Sequence, residues 1–212
     1  ANMAQENLDH AIHGFLNQSN EFVDKVYHRE EDINNVSHAI TDYLVKSNQL
    51  SLPLADQKIL GSMFYVVNDI ERIGDHAENF ADYTKTEIKH NTGLTGDAKE
   101  EIKKMYTAVS RLLKLSLECF MEQDGVNKPE DKLAEIAILE ASIDKMERRY
   151  QKHHIKRLAK GECEPRAGLL FSDMLSELER IADHSVNIAY SMSDEDEDEI
   201  LAAENEALTA KN

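Results

Sequence analysis

Apolar residues recur every three or four positions along most of the chain. The spacing is clearest between residues 53 and 91, where apolar side chains fall at Ile59, Met63, Val66, Ile70, Ile73, Ala77 and Phe80. Alternating steps of three and four place such residues on one stripe of an α-helix, which can be buried against neighbouring helices. The pattern predicts an all-α protein made of amphipathic helices.

Breaks in this pattern divide the chain into six expected helices, at 3–27, 29–48, 53–91, 97–123, 129–160 and 164–192. Pro53, Pro129 and Pro165 each stand where a helical pattern begins, as proline does in a first turn. The pattern is almost unbroken over residues 4–47, and we place the first break near Tyr27–Arg29. Short connections between long helices favour antiparallel neighbours, so we expect an elongated antiparallel bundle.

Composition supports this fold and narrows the function. The 212 residues include 8 Gly, 3 Pro and no Trp. They carry 24 Lys and Arg against 41 Asp and Glu, a formal charge of −17, which argues against nucleic-acid binding. The longest apolar stretches are a few residues long, so we expect no membrane-inserted helix. Two cysteines are typical of a reducing compartment, and we expect a cytoplasmic location.

An internal repeat is the most informative feature of the sequence. Residues 71–79 (ERIGDHAEN) and 179–187 (ERIADHSVN) are identical at six of nine positions, at an offset of 108. Asp69 aligns with Glu177 in the same register. Duplication explains this most economically, so we predict two tandem three-helix repeats, at 1–92 and 93–192. The acidic run at 194–199 predicts a disordered tail over 193–212.

The repeated acidic residues share one face of each helix. Steps of four residues place Glu71, Asp75 and Asn79 on one stripe, nearly opposite the apolar seam. Glu179 and Asp183 repeat this arrangement. The geometry predicts that both stripes point away from the core, towards solvent or a bound group.

The helix before each motif carries a second set of acidic residues. Glu140 and Asp144 are four residues apart, and Glu30 and Asn34 align with them at an offset of 110. Each repeat can therefore bring carboxylates from two helices together. Asn34 stands where a carboxylate would complete the first set, which predicts a weaker site there.

Two interpretations of these stripes remain open. Most charged helix faces are simply solvated. Acidic residues four apart repel one another, however, and both repeats keep that repulsion. An external cation would offset it, and oxygen ligands suit magnesium, calcium, manganese or iron. His76 and His184 lie about 100° from this stripe, so we expect them to serve helix packing.

The repeated motif resembles the PhoU family. The likeness rests on Asp69-Ile-Glu71-Arg-Ile-Gly-Asp75-His and on Glu177-Leu-Glu179-Arg-Ile-Ala-Asp183-His, and it covers about residues 4–192. A narrower likeness, at residues 3–8, 30–34, 40–44 and 50–51, is to the PhoU-like C-terminal domain of bacterial sodium/phosphate cotransporters. In those proteins a membrane transporter precedes a cytoplasmic helical domain.

The resemblance implies a regulator of phosphate uptake that is not an enzyme. It implies multinuclear metal clusters, with iron foremost and zinc, manganese, magnesium or calcium as alternatives. Carried over residue by residue, the metal ligands are Glu71, Asp75, Glu179, Asp183, Glu140, Asp144 and Glu30. The implied partners are a transporter membrane domain or phosphate-signalling proteins, and self-association is left open.

Three functions compete at this point. The first is a metal-binding regulatory module, either as the cytoplasmic part of a sodium-dependent phosphate transporter or as a stand-alone PhoU-type regulator. The second is a metal-free helical scaffold for protein partners. The third, a di-iron oxidase, requires Glu-x-x-His motifs directed into the core of a bundle. The chain has one such motif, Glu87 to His90, near a helix end, so we reject the third.

Overall fold

The structure is a computed structural model that describes residues 1–91, 94–122 and 129–192. Within these ranges the chain forms six α-helices and no strand, which confirms the all-α prediction. The helices are Asn2–Asn17 (α1), Asn20–Ser47 (α2), Leu54–His90 (α3), Gly96–Glu122 (α4), Glu130–Ala159 (α5) and Pro165–Tyr190 (α6). The last four begin within one residue of their predicted starts.

Two sequence predictions fall on residues outside those ranges. Residues 92–93, where the two repeats were expected to meet, and the tail at 193–212 are not among the described residues. The division into two duplicated repeats therefore stays a prediction. In the described part of the chain, no helix has an apolar stretch long enough to cross a bilayer.

The predicted break between the first two helices is wrong. Tyr27–Arg29 lies inside α2, and the chain turns instead at Gln18, which adopts a left-handed conformation with φ 51° and ψ 49°. The amide of Ser19 donates to the carbonyl of Gly14 at 2.9 Å and closes the helix end. A Cβ on Gly14 would lie 3.1 Å from Phe22 Cβ, so the glycine permits a close approach of α1 and α2.

The helices pack as two groups of three around one core. Helices α1, α2 and α3 contact one another, as do α4, α5 and α6, and α3 packs along α6. The largest fully buried side chains come from five of the helices and include Phe15, Phe80, Ile102, Ile136 and Phe171. The motif helices α3 and α6 thus lie at the centre of the molecule, and each has one side against the core.

Helices α3 and α6 run antiparallel and exchange two acid–histidine pairs, of which His76–Glu177 is buried and His184–Asp69 is partly buried. His76 Nδ1 lies 2.5 Å from Glu177 Oε2, and His184 Nδ1 lies 2.8 Å from Asp69 Oδ1. The two imidazole rings are 5.4 Å apart. The acid of each motif therefore holds the histidine of the other, and the expected packing role of both histidines is confirmed.

Glu177 is the most heavily bonded carboxylate of this contact. Burial alone would raise its pKa, but hydrogen bonds with His76, Asn79 and Tyr83 outweigh burial and hold the pKa below its ordinary value. Asn79 Nδ2 donates to Glu177 at 3.0 Å and the Tyr83 hydroxyl donates at 3.2 Å. Asn79 was expected to share the stripe of Glu71 and Asp75, and its side chain instead bonds across to α6.

Candidate metal sites

The first acidic cluster joins α2 to α3 and consists of Glu30, Glu71, Asp75 and Glu78. Glu30 comes from α2, and the other three come from successive turns of α3. The three α3 carboxylates all lie close enough to Glu30 to raise its pKa. The structure therefore brings together three of the predicted ligands and adds Glu78, which the sequence analysis did not identify.

Glu30 is a buried acidic residue, and its burial was not predicted from the sequence. The residue is 4% exposed, and neither carboxylate oxygen has a hydrogen-bond partner. Burial, and then the negative charges of Asp75, Glu78 and Glu71, raises its pKa to about 7. A buried carboxylate without a donor is unfavourable in the ionised state, so this side chain is suited to a bound cation.

Gly74 explains how Glu30 reaches this position. A Cβ placed on Gly74 would lie 2.5 Å from Glu30 Oε2 and 3.3 Å from Ile33 Cγ2. The carboxylate therefore lies directly over the backbone of α3, where only glycine leaves room. In the second repeat Ala182 takes the place of Gly74, so the two sites differ at this point.

Arg72 supplies part of the charge balance at the first cluster. Its Nη1 lies 3.1 Å from Asp75 Oδ2, and its Nε lies 3.7 Å from Glu71 Oε2. The guanidinium is half exposed, so water screens both pairs and each contributes little to stability. One arginine faces four carboxylates, and Glu30 gains no hydrogen bond from it.

The second acidic cluster joins α5 to α6 and consists of Asp144, Glu147, Glu179 and Asp183. Burial, and then the charges of Asp183, Glu147 and Asp144, raises the pKa of Glu179 to about 7. Burial and the nearby Asp144 also raise the pKa of Asp183, while His184 lowers it. The predicted ligands Asp144, Glu179 and Asp183 are thus brought together by the fold.

An arginine and a further acidic residue of α5 lie beside the second cluster. Arg148 Nη2 lies 3.4 Å from Asp144 Oδ2, four residues earlier on the same helix. Glu140, the remaining predicted ligand, is half buried on α5, one helical turn before Asp144. Each cluster therefore combines acids of two helices with arginine at its edge: Arg72 at the first, and Arg148 and Arg180 at the second.

Glu78 and Glu147 could not be predicted from the repeat, because each carboxylate occurs in only one of the two halves. Glu78 aligns with Val186 in the second motif, and Glu147 aligns with Ser37 in the first. Each extra carboxylate follows a predicted ligand by three residues on the same helix, and that i, i+3 spacing was the available signal. Glu78 restores the fourth carboxylate that Asn34 does not supply.

The carboxylates do not yet converge on a single point. Across residues 1–91, 94–122 and 129–192, no three His, Cys, Asp or Glu side chains are arranged to hold one metal ion as they stand. Like charges repel, which opposes a closer approach of these carboxylates, and Asp75 and Asp144 each lie beside an arginine. The donor set nevertheless fits a hard cation, because it is made of carboxylate oxygens and includes the unbonded Glu30.

Comparisons with known proteins agree with the fold and the repeated motif. The family model described as PhoU domain matches residues 1–84 and 102–192. A Synechocystis protein named phosphate-specific transport system accessory protein PhoU homolog is 27% identical over 175 residues, covering 80% of this chain and 72% of that protein. A Thermotoga maritima protein, named PhoU homolog 1 of the same system, is 21% identical over 88% of this chain and 78% of its own length.

Solved structures show the same helical architecture. The crystal structure of PhoU from Pseudomonas aeruginosa matches with a TM-score of 0.79 at 20% identity, covering 90% of this chain and 88% of that chain. The phosphate transport system regulatory protein PhoU from Streptococcus pneumoniae matches with a TM-score of 0.77 at 21% identity, covering 90% and 86%. The expectation that the chain is not an enzyme is confirmed by its relatives, which are named accessory proteins. This chain belongs to the PhoU domain family.

Proposed function

We propose that this chain regulates phosphate uptake as a PhoU-type accessory protein, and that its two acidic clusters bind metal ions. The named relatives support the first part, since they are accessory proteins of phosphate-specific transport systems. The metal-binding part of the proposal is supported by Glu30, which is buried without a hydrogen-bond partner among three other carboxylates. A cation would supply the positive charge that this position lacks.

The first site would be held by Glu30, Glu71, Asp75 and Glu78. The second would be held by Asp144, Glu147, Glu179 and Asp183, with Glu140 one turn away on α5. Carboxylate oxygens suit iron, manganese, magnesium and calcium, and zinc also accepts them. Family resemblance favours iron. A bound cation would neutralise the clusters and give an otherwise acidic surface the ability to attract phosphate groups.

Metal binding should be tested with the free ions and matched variants. Protein purified without an affinity column is analysed for metals and titrated calorimetrically with Fe²⁺, Mn²⁺, Zn²⁺, Mg²⁺ and Ca²⁺. We expect Asp75→Asn to remove binding at the first cluster and Asp183→Asn to remove it at the second. Asp32→Asn, which alters an exposed acid on α2, is the control and should bind as the unmodified chain does.

The result also separates the metal-bound regulator from a metal-free scaffold. If the unmodified chain binds none of these ions, or if Asp75→Asn and Asp183→Asn bind as well as the control, the metal sites are wrong. Co-purification with components of a phosphate-specific transport system is then compared between these two variants and the control. Partner binding that survives in metal-free protein supports the scaffold.

The transport system on which this chain acts is proposed from its relatives. The relatives are named accessory proteins, and this supports a regulator that acts on a transport system. We place it at the cytoplasmic side of the membrane because a chain with two cysteines is typical of a reducing compartment. The alternative, a cytoplasmic domain of a sodium-dependent phosphate cotransporter, rests on the narrower likeness at residues 3–8, 30–34, 40–44 and 50–51. Co-purification with a phosphate-specific transport system favours the accessory role, and a transporter encoded in the same reading frame favours the alternative.

A further inference from the structure

The second half of α5 is strongly basic, although the chain as a whole is acidic. Residues 145–160 contain seven of the 24 Lys and Arg and one of the 41 Asp and Glu. We call Lys145, Arg149, Lys152, Lys156 and Lys160 the basic row. All five are exposed, and steps of three and four residues place them within about 80° around the helix. The basic row is therefore one straight stripe of positive charge, about 22 Å long.

The fold itself does not require the basic row. At the offset of 110 residues that aligns α2 with α5, the same five positions hold Asn35, Ala39, Asp42, Lys46 and Leu50. Only one of these is a cation, and α2 nevertheless packs on its motif helix as α5 does. Like charges three and four residues apart repel one another and lower the stability of a helix. An anionic partner outside the chain would offset that repulsion.

Most of the charge of the basic row is not balanced within the protein. Lys160 Nζ lies 3.5 Å from Glu162 Oε1, and both side chains are exposed, so water screens this pair. Across residues 1–91, 94–122 and 129–192, Lys145, Lys152 and Lys156 form no ion pair. These three ammonium groups are therefore free to meet anions.

Acids on α4 lie near the end of the basic row, and two of them hold other cations. Glu101 Oε2 lies 2.9 Å from Arg157 Nη2, and Glu100 Oε1 lies 3.6 Å from Lys104 Nζ. The third acid of α4 in this cleft is Asp97. These pairs largely cancel one another's charge, so the excess positive charge is that of the basic row.

Exposed apolar side chains lie beside the basic row. Ile155 is 62% exposed at one edge of it, and Ile138, 56% exposed, continues the stripe two turns before its first lysine. Leu169 of α6 is 69% exposed and follows Gly168, which packs against Leu158 of α5. Lysines flanked by apolar side chains are typical of helices that lie on a membrane surface. A soluble polyanion would need the charges alone, so the apolar residues favour lipid.

We propose that the basic row, together with Ile155, binds the surface of an anionic phospholipid membrane. Helix α5 lies parallel to the surface, so that the cations contact headgroup phosphates and Ile155 reaches the edge of the acyl region. Because the basic row is straight, all five cations can reach one plane together. Charges more than about 8 Å from the surface are screened at physiological ionic strength, so the net charge of −17 opposes this contact only weakly.

Co-sedimentation with vesicles tests this contact. The full chain is mixed with vesicles of phosphatidylcholine, alone or with about 30% phosphatidylglycerol. A chelator is present, so that no metal ion on an acidic cluster bridges to lipid and the result is independent of the proposed metal sites. We expect binding to the anionic vesicles, at least about tenfold weaker binding to the neutral ones, and loss of binding at about 0.5 M salt.

Matched variants test the basic row itself. Each lysine near an anionic surface strengthens binding about fivefold, so Lys152→Gln combined with Lys156→Gln should weaken it about 25-fold. Lys46→Gln combined with Lys89→Gln removes two exposed lysines of α2 and α3 and should bind as the unmodified chain does. Both variants have the same net charge, and circular dichroism should show both folded.

Tryptophan fluorescence tests whether Ile155 reaches the lipid. The chain has no tryptophan, so one introduced residue reports its own surroundings. The emission of Ile155→Trp should shift to shorter wavelength when anionic vesicles are added. Val45→Trp, at an exposed position of α2, is the control and should show no shift.

Four results would overturn the proposal. The first is an unmodified chain that does not bind anionic vesicles at low salt. The second is equal binding by the two double lysine variants, and the third is unchanged emission of Ile155→Trp in vesicle-bound protein. The fourth is binding of inorganic polyphosphate or an acidic peptide without binding of vesicles, because the basic row would then serve a soluble polyanion.

Discussion

Replacing Glu30 by glutamine should stabilise the metal-free protein, by an amount that grows as pH rises from about 4.5 to about 7 and is then constant. The pKa of Glu30 is raised from 4.5 to about 7, mainly by burial and then by Asp75, Glu78 and Glu71. One pKa unit corresponds to about 1.4 kcal/mol, so ionising Glu30 in the folded state costs about 3.5 kcal/mol at most. Glutamine is similar in size and cannot ionise.

The way in which the stability contribution of Glu30 changes with pH follows from the number of protons that the folded and unfolded states bind. Between pH 4.5 and about 7 the folded protein keeps the proton of Glu30, while the unfolded chain has lost it. The unfolded state then binds fewer protons, so the contribution of Glu30 to stability falls as pH rises through this range. We expect Glu30→Gln to be nearly neutral at pH 5 and to add about 1–3 kcal/mol at pH 8.

Chemical denaturation at the two pH values, with a chelator present, measures this difference. For a chain of this size the gain corresponds to a rise of about 3–10 °C in Tm. Glu31→Gln removes an exposed charge from the neighbouring position and should change stability little at either pH. Glu179 also has a pKa raised to about 7. Since the unmodified chain and Glu30→Gln both contain Glu179, it contributes the same dependence of stability on pH to each. A gain of equal size at pH 5 and pH 8 would refute the reasoning.

Two further substitutions test the packing around α6. His76→Ala leaves Glu177 buried without its shortest hydrogen bond, so we expect the free energy of unfolding in a urea titration to fall by about 2–4 kcal/mol. The control, His153→Ala, breaks a partly exposed pair and should lower the free energy of unfolding by less than about 1 kcal/mol. Gly168→Ala would place a Cβ 2.5 Å from the His154 ring and should lower the free energy of unfolding by about 1–3 kcal/mol. Similar losses for His76→Ala and His153→Ala, or an unchanged unfolding curve for Gly168→Ala, would contradict the packing described here.

Much of the fold could be predicted from helical periodicity. Proline and glycine marked the starts of α3, α4, α5 and α6, and those starts were placed within one residue. The turn between α1 and α2 was misplaced because Gln18 adopts a left-handed conformation without a glycine at that position. The nearby glycine, Gly14, marks this turn only because it lets Phe22 approach closely. Helical periodicity in the sequence does not reveal such a contact between helices.

The candidate sites could be predicted only in part, for a similar reason. The repeat identified Glu71, Asp75, Glu179 and Asp183, since helical spacing alone places them on one face. The burial of Glu30 depends on Gly74 of another helix, because glycine has no Cβ to occupy that space. Helical spacing cannot predict which neighbouring helix a side chain will contact. Comparing the repeats position by position also discards any ligand that only one repeat contains.

The repeated motif places residues with two different roles on opposite faces of one helix. Asp69 and Glu71 are two residues apart, and this separation turns them about 200° from each other. Glu71 therefore joins the acidic cluster, while Asp69 faces α6 and holds His184 at 2.8 Å. A single motif thus specifies both a candidate ligand set and the contact between the central helices.

The second of these roles, the contact between α3 and α6, follows from the spacing that the two motifs share. In each motif an acid precedes a histidine by seven residues, from Asp69 to His76 and from Glu177 to His184. Seven residues are close to two helical turns, so acid and histidine lie on the same side of their helix. Two such helices placed antiparallel bring each acid opposite the other's histidine, as the pairs at 2.5 and 2.8 Å show. Two antiparallel helices with this spacing are therefore sufficient to form a self-complementary contact, and the acidic stripes, which lie on other faces of the same helices, remain available for a ligand.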